Sequence, residues 1–203
     1  MSASGAMLAE AIAAVRRGEV IVLPTDTVYG LAARADTAAG RDALYRLKGR
    51  NDRQPSALLA ATPEALLAHL PELRPAAQEA IAALLPGPYT LVVPNPAGRF
   101  PWLCGDDPSR IGVRVPELPA VAASVVAAVG VVVATSANLP ADPDPRTVED
   151  IAEKLRAGSA VVLDRGRLPG VPSTVLDLTG DEPHVLREGA GDTAAALAAL
   201  GNA

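Results

Sequence analysis

Apolar residues in this chain fall mostly into short runs, each closed by a proline, glycine or small polar residue, with longer alanine-rich stretches between them. Residues 6–17 carry apolar positions at helical spacing, and Gly18 supplies the stop signal. Residues 20–23 (VIVL), ended by Pro24, read as a buried strand, and a second strand is expected at 28–33. The pattern then predicts a helix at 42–48, a strand at 56–60 and a helix starting at Thr62-Pro63, where a capping hydroxyl precedes a first-turn proline. A helix over 76–85 is broken by Pro86-Gly87-Pro88, and strands follow at 89–93 and 111–115. A helix over 120–129 ends at Gly130 before a strand at 131–134. Thr147 and Asp150 resemble a capping box opening a helix over 147–156. Strands at 160–163, 174–178 and 185–187 and a closing helix over 192–200 complete the reading. Helices and strands mostly alternate, with two places where strands are neighbours. That order predicts a layered α/β domain with a mixed sheet, and no repeat or linker divides residues 1–203.

Composition narrows the chemistry. Hydrophobic residues make up 49% and aromatics only 2%, so the core is expected to rest on Ala, Val and Leu. The net charge of −5 and the scarcity of aromatic rings argue against a broad nucleic-acid grip, which needs a basic face and stacking platforms. Cys104 is the single cysteine, and His69 and His184 are the two histidines, so neither a disulfide nor a metal cluster is expected. Cys104 reads as a small buried apolar group and His69 as a solvated helix end. No signal-peptide pattern and no long apolar run occurs, which sets a cytoplasmic location as the expectation.

Three polar features stand out at strand ends, where open α/β sheets bind ligands. VIVL runs into Pro24-Thr25-Asp26-Thr27, and VVVA runs into Thr135-Ser136-Ala137-Asn138. Each motif read alone is equally at home as an ordinary turn or helix cap. Arg46, Lys48, Arg50 and Arg53 bring four cations into eight residues, opposed only by Asp52. Such a cluster is either a solvated basic face or a fork for phosphate oxygens. Arg114 ends an otherwise apolar strand and so calls for a partner or ligand, and Arg187 repeats that placement. The chain holds no Walker A loop, no G-x-G-x-x-G and no Ser-His-Asp set. Positioning and charge, rather than a covalent nucleophile, are therefore the expected tools.

Taken in order, these motifs resemble the YrdC-like family of threonylcarbamoyl-AMP synthases in its single-domain form. The resemblance rests on PTDTVYGL at 24–31, Lys48-Gly49-Arg50 with Pro55, PGPYTLVV at 86–93, GVRVP at 112–116, Ser136-Ala137-Asn138, PSTVLDL at 172–178 and LREGAG at 186–191. It implies a three-layer α/β fold: a twisted mixed parallel and antiparallel sheet, with helices on both faces, around a concave cavity. It implies an L-threonylcarbamoyladenylate synthase, a nucleotidyltransferase that makes threonylcarbamoyl-AMP and pyrophosphate from L-threonine, bicarbonate or CO2, and ATP with Mg2+. The product would pass to other tRNA-modification proteins, with at most a weak contact to tRNA itself and none to a membrane.

By the same resemblance Lys48, Arg50, Ser136 and Asn138 would line the catalytic cavity. Thr27, Arg114, Ala134 and Ser173 would contact threonine, and Arg50, Gln54, Ser136 and Arg187 would contact ATP, with no resident metal site. Four positions depart from the family pattern: Gln54, Leu59, Arg110 and Asp144. An acid such as Asp144 near phosphates is unfavourable unless a metal bridges it. These departures keep a paralogue acting on another carbamoyl or nucleotide substrate in view as the alternative reading, beside a non-catalytic RNA-binding module.

Overall fold

The computed structural model describes residues 3–51 and 53–201. Its strands are β1 (Ile21–Pro24), β2 (Tyr29–Arg34), β3 (Ala57–Ala60), β4 (Tyr89–Pro94), β5 (Arg110–Arg114), β6 (Val131–Ser136), β7 (Val161–Val162), β8 (Thr174–Asp177) and β9 (His184–Arg187). They form a nine-stranded sheet in the order β7-β1-β2-β6-β3-β5-β4-β8-β9. The pairs β1–β7, β3–β5 and β4–β8 are parallel and the other five antiparallel, so the sheet is mixed as the element order predicts.

Alternation along each strand sends side chains to opposite faces, and the packing follows that parity. Val22, Leu31, Leu58, Leu91, Val113, Val133 and Leu176 face one layer. There they meet Leu44 and Tyr45 of α2 (Ala38–Lys48), Leu66 of α3 (Pro63–His69), and Ile81 and Leu84 of α4 (Pro75–Leu84). Leu155 of α6 (Glu153–Ala157) and Ala196 of α7 (Thr193–Gly201) join the same cluster. Ile21, Leu23, Ala32, Leu59 and Val132 face the other layer. They are covered by Ala11, Ala14 and Val15 of α1 (Ala3–Arg16) and by Ala122, Val125 and Val126 of α5 (Ala120–Val129). With helices on both faces, the three layers expected from the resemblance are present.

Caps explain where the helices stop. Thr62 accepts from the Ala65 N–H at 3.1 Å at the start of α3, the capping hydroxyl expected there. Helix α2 starts one turn earlier than residue 42 and ends at Gly49, whose φ of 70° lies in the left-handed region that glycine adopts without penalty. The amides of Gly49 and Arg50 both turn back to the Tyr45 carbonyl, so Lys48 and Arg50 leave the helix end on either side of a tight reversal.

The expected helix over 147–156 is replaced by turns up to residue 152 and the short α6. Asp150 accepts from the backbone amides of Arg146 and Thr147, each at 2.9 Å, so it closes a turn instead of a capping box. His69 is half-buried rather than solvated, with Nδ1 2.8 Å from the Ala65 carbonyl.

Leu91 sits at the centre of β4, fully buried, with β5 and β8 on its two sides. Leu91→Ala is expected to lower unfolding stability by about 2–5 kcal/mol, read from the midpoint of a urea titration.

Candidate functional site

The face that α1 and α5 cover is left open beyond them, and the sheet there floors a cavity of about 650 Å³. Strand parity selects its floor. Leu23 of β1, Gly30 of β2, Ala134 of β6, Ala57 and Leu59 of β3, Gly112 of β5, Val92 of β4 and Val175 of β8 all line it. Small residues at several of these points keep the floor low, and the Gly30 backbone lies so near the Thr135 carbonyl that an added Cβ would approach it to 3.3 Å. Polar and charged groups rise at the strand ends around this apolar floor: Thr25, Arg50, Arg53, Thr90, Arg110, Arg114, Ser136, Asp144, Ser173 and Arg187.

Of the four clustered cations, Arg50 and Arg53 line the cavity, whereas Arg46 is exposed elsewhere. Asp52 lies outside the described residues. Lys48 is only 6% exposed and stands behind the lining. Its ammonium donates to the Ser136 carbonyl at 2.5 Å and to Asn138 Oδ1 at 3.0 Å, with the hydroxyls of Thr135 and Ser136 each at 3.4 Å. Burial, reinforced by the neighbouring charge of Arg50, pulls the Lys48 ammonium down to about 8, while Asp144 works in the opposite direction.

The Arg50 guanidinium donates to Thr135 Oγ1 at 2.9 Å, to Ser56 Oγ at 3.2 Å and to the Pro55 carbonyl at 2.6 Å. It also lies over the Tyr45 ring at 5.3 Å. Thr135 is thus the hydroxyl on which both cations converge. Sequence reasoning treats it only as part of a polar turn, because nothing in a linear motif marks a long-range acceptor.

Asn138 is likewise outside the lining. Its Oδ1 accepts from Lys48 and from Ser136 Oγ at 2.6 Å, and its amide donates to the Asp142 carbonyl at 2.7 Å. Gln54 is exposed, also outside the lining, and accepts from Arg50 Nε at 3.0 Å. Both side chains hold a cation or hydroxyl in place and do not themselves present a surface to the cavity. Of the four residues expected to line the cavity, Arg50 and Ser136 do, whereas Lys48 and Asn138 stand behind it.

Arg114 has the partner its strand position demands. Its Nη2 donates to Asp26 at 2.7 Å and to Thr27 Oγ1 at 2.6 Å, and the ion pair is nearly sequestered, with side chains 12% and 11% exposed. Nε of Arg114 is buried without a hydrogen-bond partner among the described residues. Desolvation pulls the pKa of the Arg114 guanidinium below its ordinary value, and the Asp26 carboxylate opposes that shift. Thr27 is fully buried behind Arg114, its hydroxyl taken by Arg114 and by Thr25 Oγ1 at 3.0 Å, and it does not line the cavity. The TDT turn therefore reaches the cavity through Thr25 and through the arginine that Asp26 and Thr27 orient.

At the β8–β9 end of the sheet, Arg187 donates to the Ser173 carbonyl at 2.8 and 3.1 Å and to its hydroxyl at 3.2 Å, while Ser173 Oγ pairs with Thr90 Oγ1 at 2.8 Å. Arg110 pairs with Asp107 at 3.0 Å and Asp177 at 3.3 Å. Cys104 is buried at the rim with its thiol pushed up by desolvation, the behaviour of a small apolar group rather than a nucleophile. Among the described residues no three His, Cys, Asp or Glu side chains converge on a metal position, and no helix is long and apolar enough to cross a membrane. The arrangement suits a ligand with two anionic ends: a carboxylate at Arg114, and phosphates at Arg50 and Lys48.

The Sua5/YciO/YrdC family model, described as telomere recombination, matches residues 13–189. A threonylcarbamoyl-AMP synthase of Shigella boydii is 36% identical over 182 residues, covering 87% of this chain and 94% of that protein. The crystal structure of Pyrococcus abyssi Sua5 complexed with L-threonine superposes with a TM-score of 0.79 at 28% identity, covering 93% of this chain. The chain spans 55% of that longer protein. Escherichia coli YciO superposes with a TM-score of 0.78 at 27% identity, covering 97% of this chain and 95% of its own. With the match running through every strand that builds the cavity, this chain belongs to the Sua5/YciO/YrdC family.

Proposed function

We propose that this chain is an L-threonylcarbamoyladenylate synthase, a nucleotidyltransferase that works as one domain and feeds a tRNA-modification pathway from the cytoplasm. The observation that carries the reading is the Arg114 guanidinium: fixed at one end by Asp26 and Thr27, unpaired at Nε, and set in a cavity whose far wall carries Arg50 with Lys48 behind it. The names of the family's relatives and the threonine bound to Pyrococcus abyssi Sua5 support it.

The threonine carboxylate pairs with Arg114, while Ala134, Leu59 and the Thr90–Ser173 hydroxyl pair meet the rest of the amino acid. The amine takes up CO2 or bicarbonate to form a carbamate, with loss of a proton or of water respectively. A carbamate oxygen then attacks the α-phosphorus of ATP and the bond to pyrophosphate breaks. Both reactants are anions, so the barrier falls only if fixed cations neutralise the charge gathering at phosphorus. Arg50 and Lys48 supply that charge, Ser136 meets phosphate oxygens from the wall, and Arg187 contributes from the β8–β9 end of the sheet. Gln54 and Asn138 act on Arg50 and Lys48 as positioning residues. Mg2+ enters on the triphosphate as part of the substrate, since hard divalent ions are commonly held by phosphates with one or two carboxylates.

Incubation with ATP, Mg2+, bicarbonate and a panel of amino acids is expected to yield threonylcarbamoyl-AMP, detected by mass spectrometry, with threonine and not with the others. Absence of any adenylate with any amino acid would sink the reading. Lys48→Ala and Arg50→Ala should each cut threonine-dependent pyrophosphate release by roughly 10²–10³. Arg114→Ala is expected to raise the threonine KM far more than the ATP KM, and equal changes in the two would place the carboxylate elsewhere.

Affinity for ATP carries a pH signature. The Lys48 ammonium titrates near 8 in the free protein, and bound phosphates favour its charged form, so binding is strongest below that value and weakens as pH rises through it. Calorimetric titration with ATP between about pH 7 and 9.5 reads this fall. Lys48→Arg should flatten it, because a guanidinium stays charged throughout that range.

A further inference from the structure

The cavity lining contains an acid that the reaction just described does not use. Asp144 is half-buried and forms no hydrogen bond or ion pair among the described residues. The other acids of the lining differ: Asp107 is held by Ser109 and Arg110, and Asp106 is exposed at the rim.

The backbone that carries Asp144 is fixed from both sides. Pro143 and Pro145 flank it, which restricts its own conformation to the extended region. The Pro145 carbonyl accepts from the Tyr29 amide at 3.2 Å, the Arg146 carbonyl accepts from the Leu168 amide at 2.7 Å, and the Asp142 carbonyl accepts from Asn138. Asn138 is the side chain that also holds Lys48 and Ser136, so the Asp144 loop and the phosphate wall form one framework. Asp144 is close enough to Lys48 for its charge to favour the ammonium.

A fixed carboxylate beside a phosphate site repels a bare triphosphate. A divalent cation on the triphosphate reverses that sign, because Mg2+ seeks one or two carboxylate oxygens beside its phosphate and water ligands. We propose that Asp144 makes this cavity select metal-bound ATP over free ATP, by offering the cation an oxygen and repelling the uncomplexed triphosphate. The inference rests on the ATP site of the proposed function. It differs from a simpler role in which Asp144 only serves as counter-ion to Lys48. A mere counter-ion would weaken both forms of ATP, the more highly charged metal-free form more, whereas a metal-directed carboxylate weakens the metal-free form and strengthens the metal-bound one.

The test is a calorimetric titration without threonine or bicarbonate, so that nothing turns over, using ATP with excess Mg2+ and ATP with EDTA. Wild-type protein should bind the metal-bound form more tightly. Asp144→Asn should narrow the ratio of the two dissociation constants by about tenfold or more, with metal-free ATP binding more tightly and metal-bound ATP more weakly. Asp144→Ser repeats the measurement with a smaller side chain, and thermal melting of both variants verifies the fold. An unchanged ratio, or a gain in affinity for both forms, overturns the inference and leaves the ATP site standing. Failure of wild-type protein to bind either form of ATP overturns the functional reading and this inference together.

Discussion

Lys48 is the constraint around which the site is arranged. Its ammonium is almost wholly removed from solvent in a wall that also holds Arg50, so desolvation and like charge both act against it. What keeps it there is a cage of acceptors: the Ser136 carbonyl, Asn138 Oδ1 and the hydroxyls of Thr135 and Ser136. Each belongs to the end of β6 or the turn after it, and β6 lies between β2 and β3 in the sheet. The cage can hold the ammonium only because β6 delivers its acceptors to the end of α2, where the left-handed Gly49 turns the chain so that Arg50 leads away from Lys48 toward the same threonine hydroxyl. A buried cation with acceptors but no full counter-charge is an incomplete ion pair. In the proposed reaction a phosphate of ATP would complete it.

The sheet does the other half of the work by parity. Along β1, β2, β3 and β6, one set of alternate residues packs under α2, α3 and α4, and the other set packs under α1 and α5 before running out into the cavity. A one-residue slip would exchange the two sets and send Leu58 and Val133 into the cavity while burying Leu59 and Ala134. The apolar packing on the helix-rich face therefore specifies which side chains reach the ligand. Glycine and alanine on the open face leave room where leucine and valine on the closed face fill it.

Much of this was legible in the sequence, and the failures have physical causes. Strands such as residues 20–23 and 131–134 announce themselves as apolar runs ended by proline or polar turns, and α3 announces itself through Thr62-Pro63. The helix expected at 147–156 was misread because an aspartate that closes a turn through the amides of Arg146 and Thr147 looks, in one dimension, like half of a capping box. Arg114 could be recognised as a charge that needs a partner, but not that the partner is Asp26, whose loop is far away in the chain. Thr135, Asn138 and Gln54 show the same limit from the other side. Which residue faces the cavity, and which stands behind holding another, depends on pairings between β6 and the end of α2 that no spacing encodes.

An acidic chain can build so cationic a hollow because some of its cations are balanced locally by carboxylates and the others are held by neutral oxygens. Arg114 answers to Asp26, and Arg110 to Asp107 and Asp177, whereas Arg50, Lys48 and Arg187 are satisfied only by neutral oxygens among the described residues. These three are therefore where an incoming anion gains most, since it displaces no carboxylate. Arg114 works differently: with Asp26 already at one edge, it gains from a second carboxylate only through the donors left over, of which Nε is buried and unpaired. That asymmetry is what the proposed placement relies on, with the highest anionic charge at the cations held by neutral oxygens and a single carboxylate at Arg114. A broad polyanion such as RNA would find the cations recessed over an apolar floor with few aromatic rings to stack on, whereas a small ligand charged at both ends matches them.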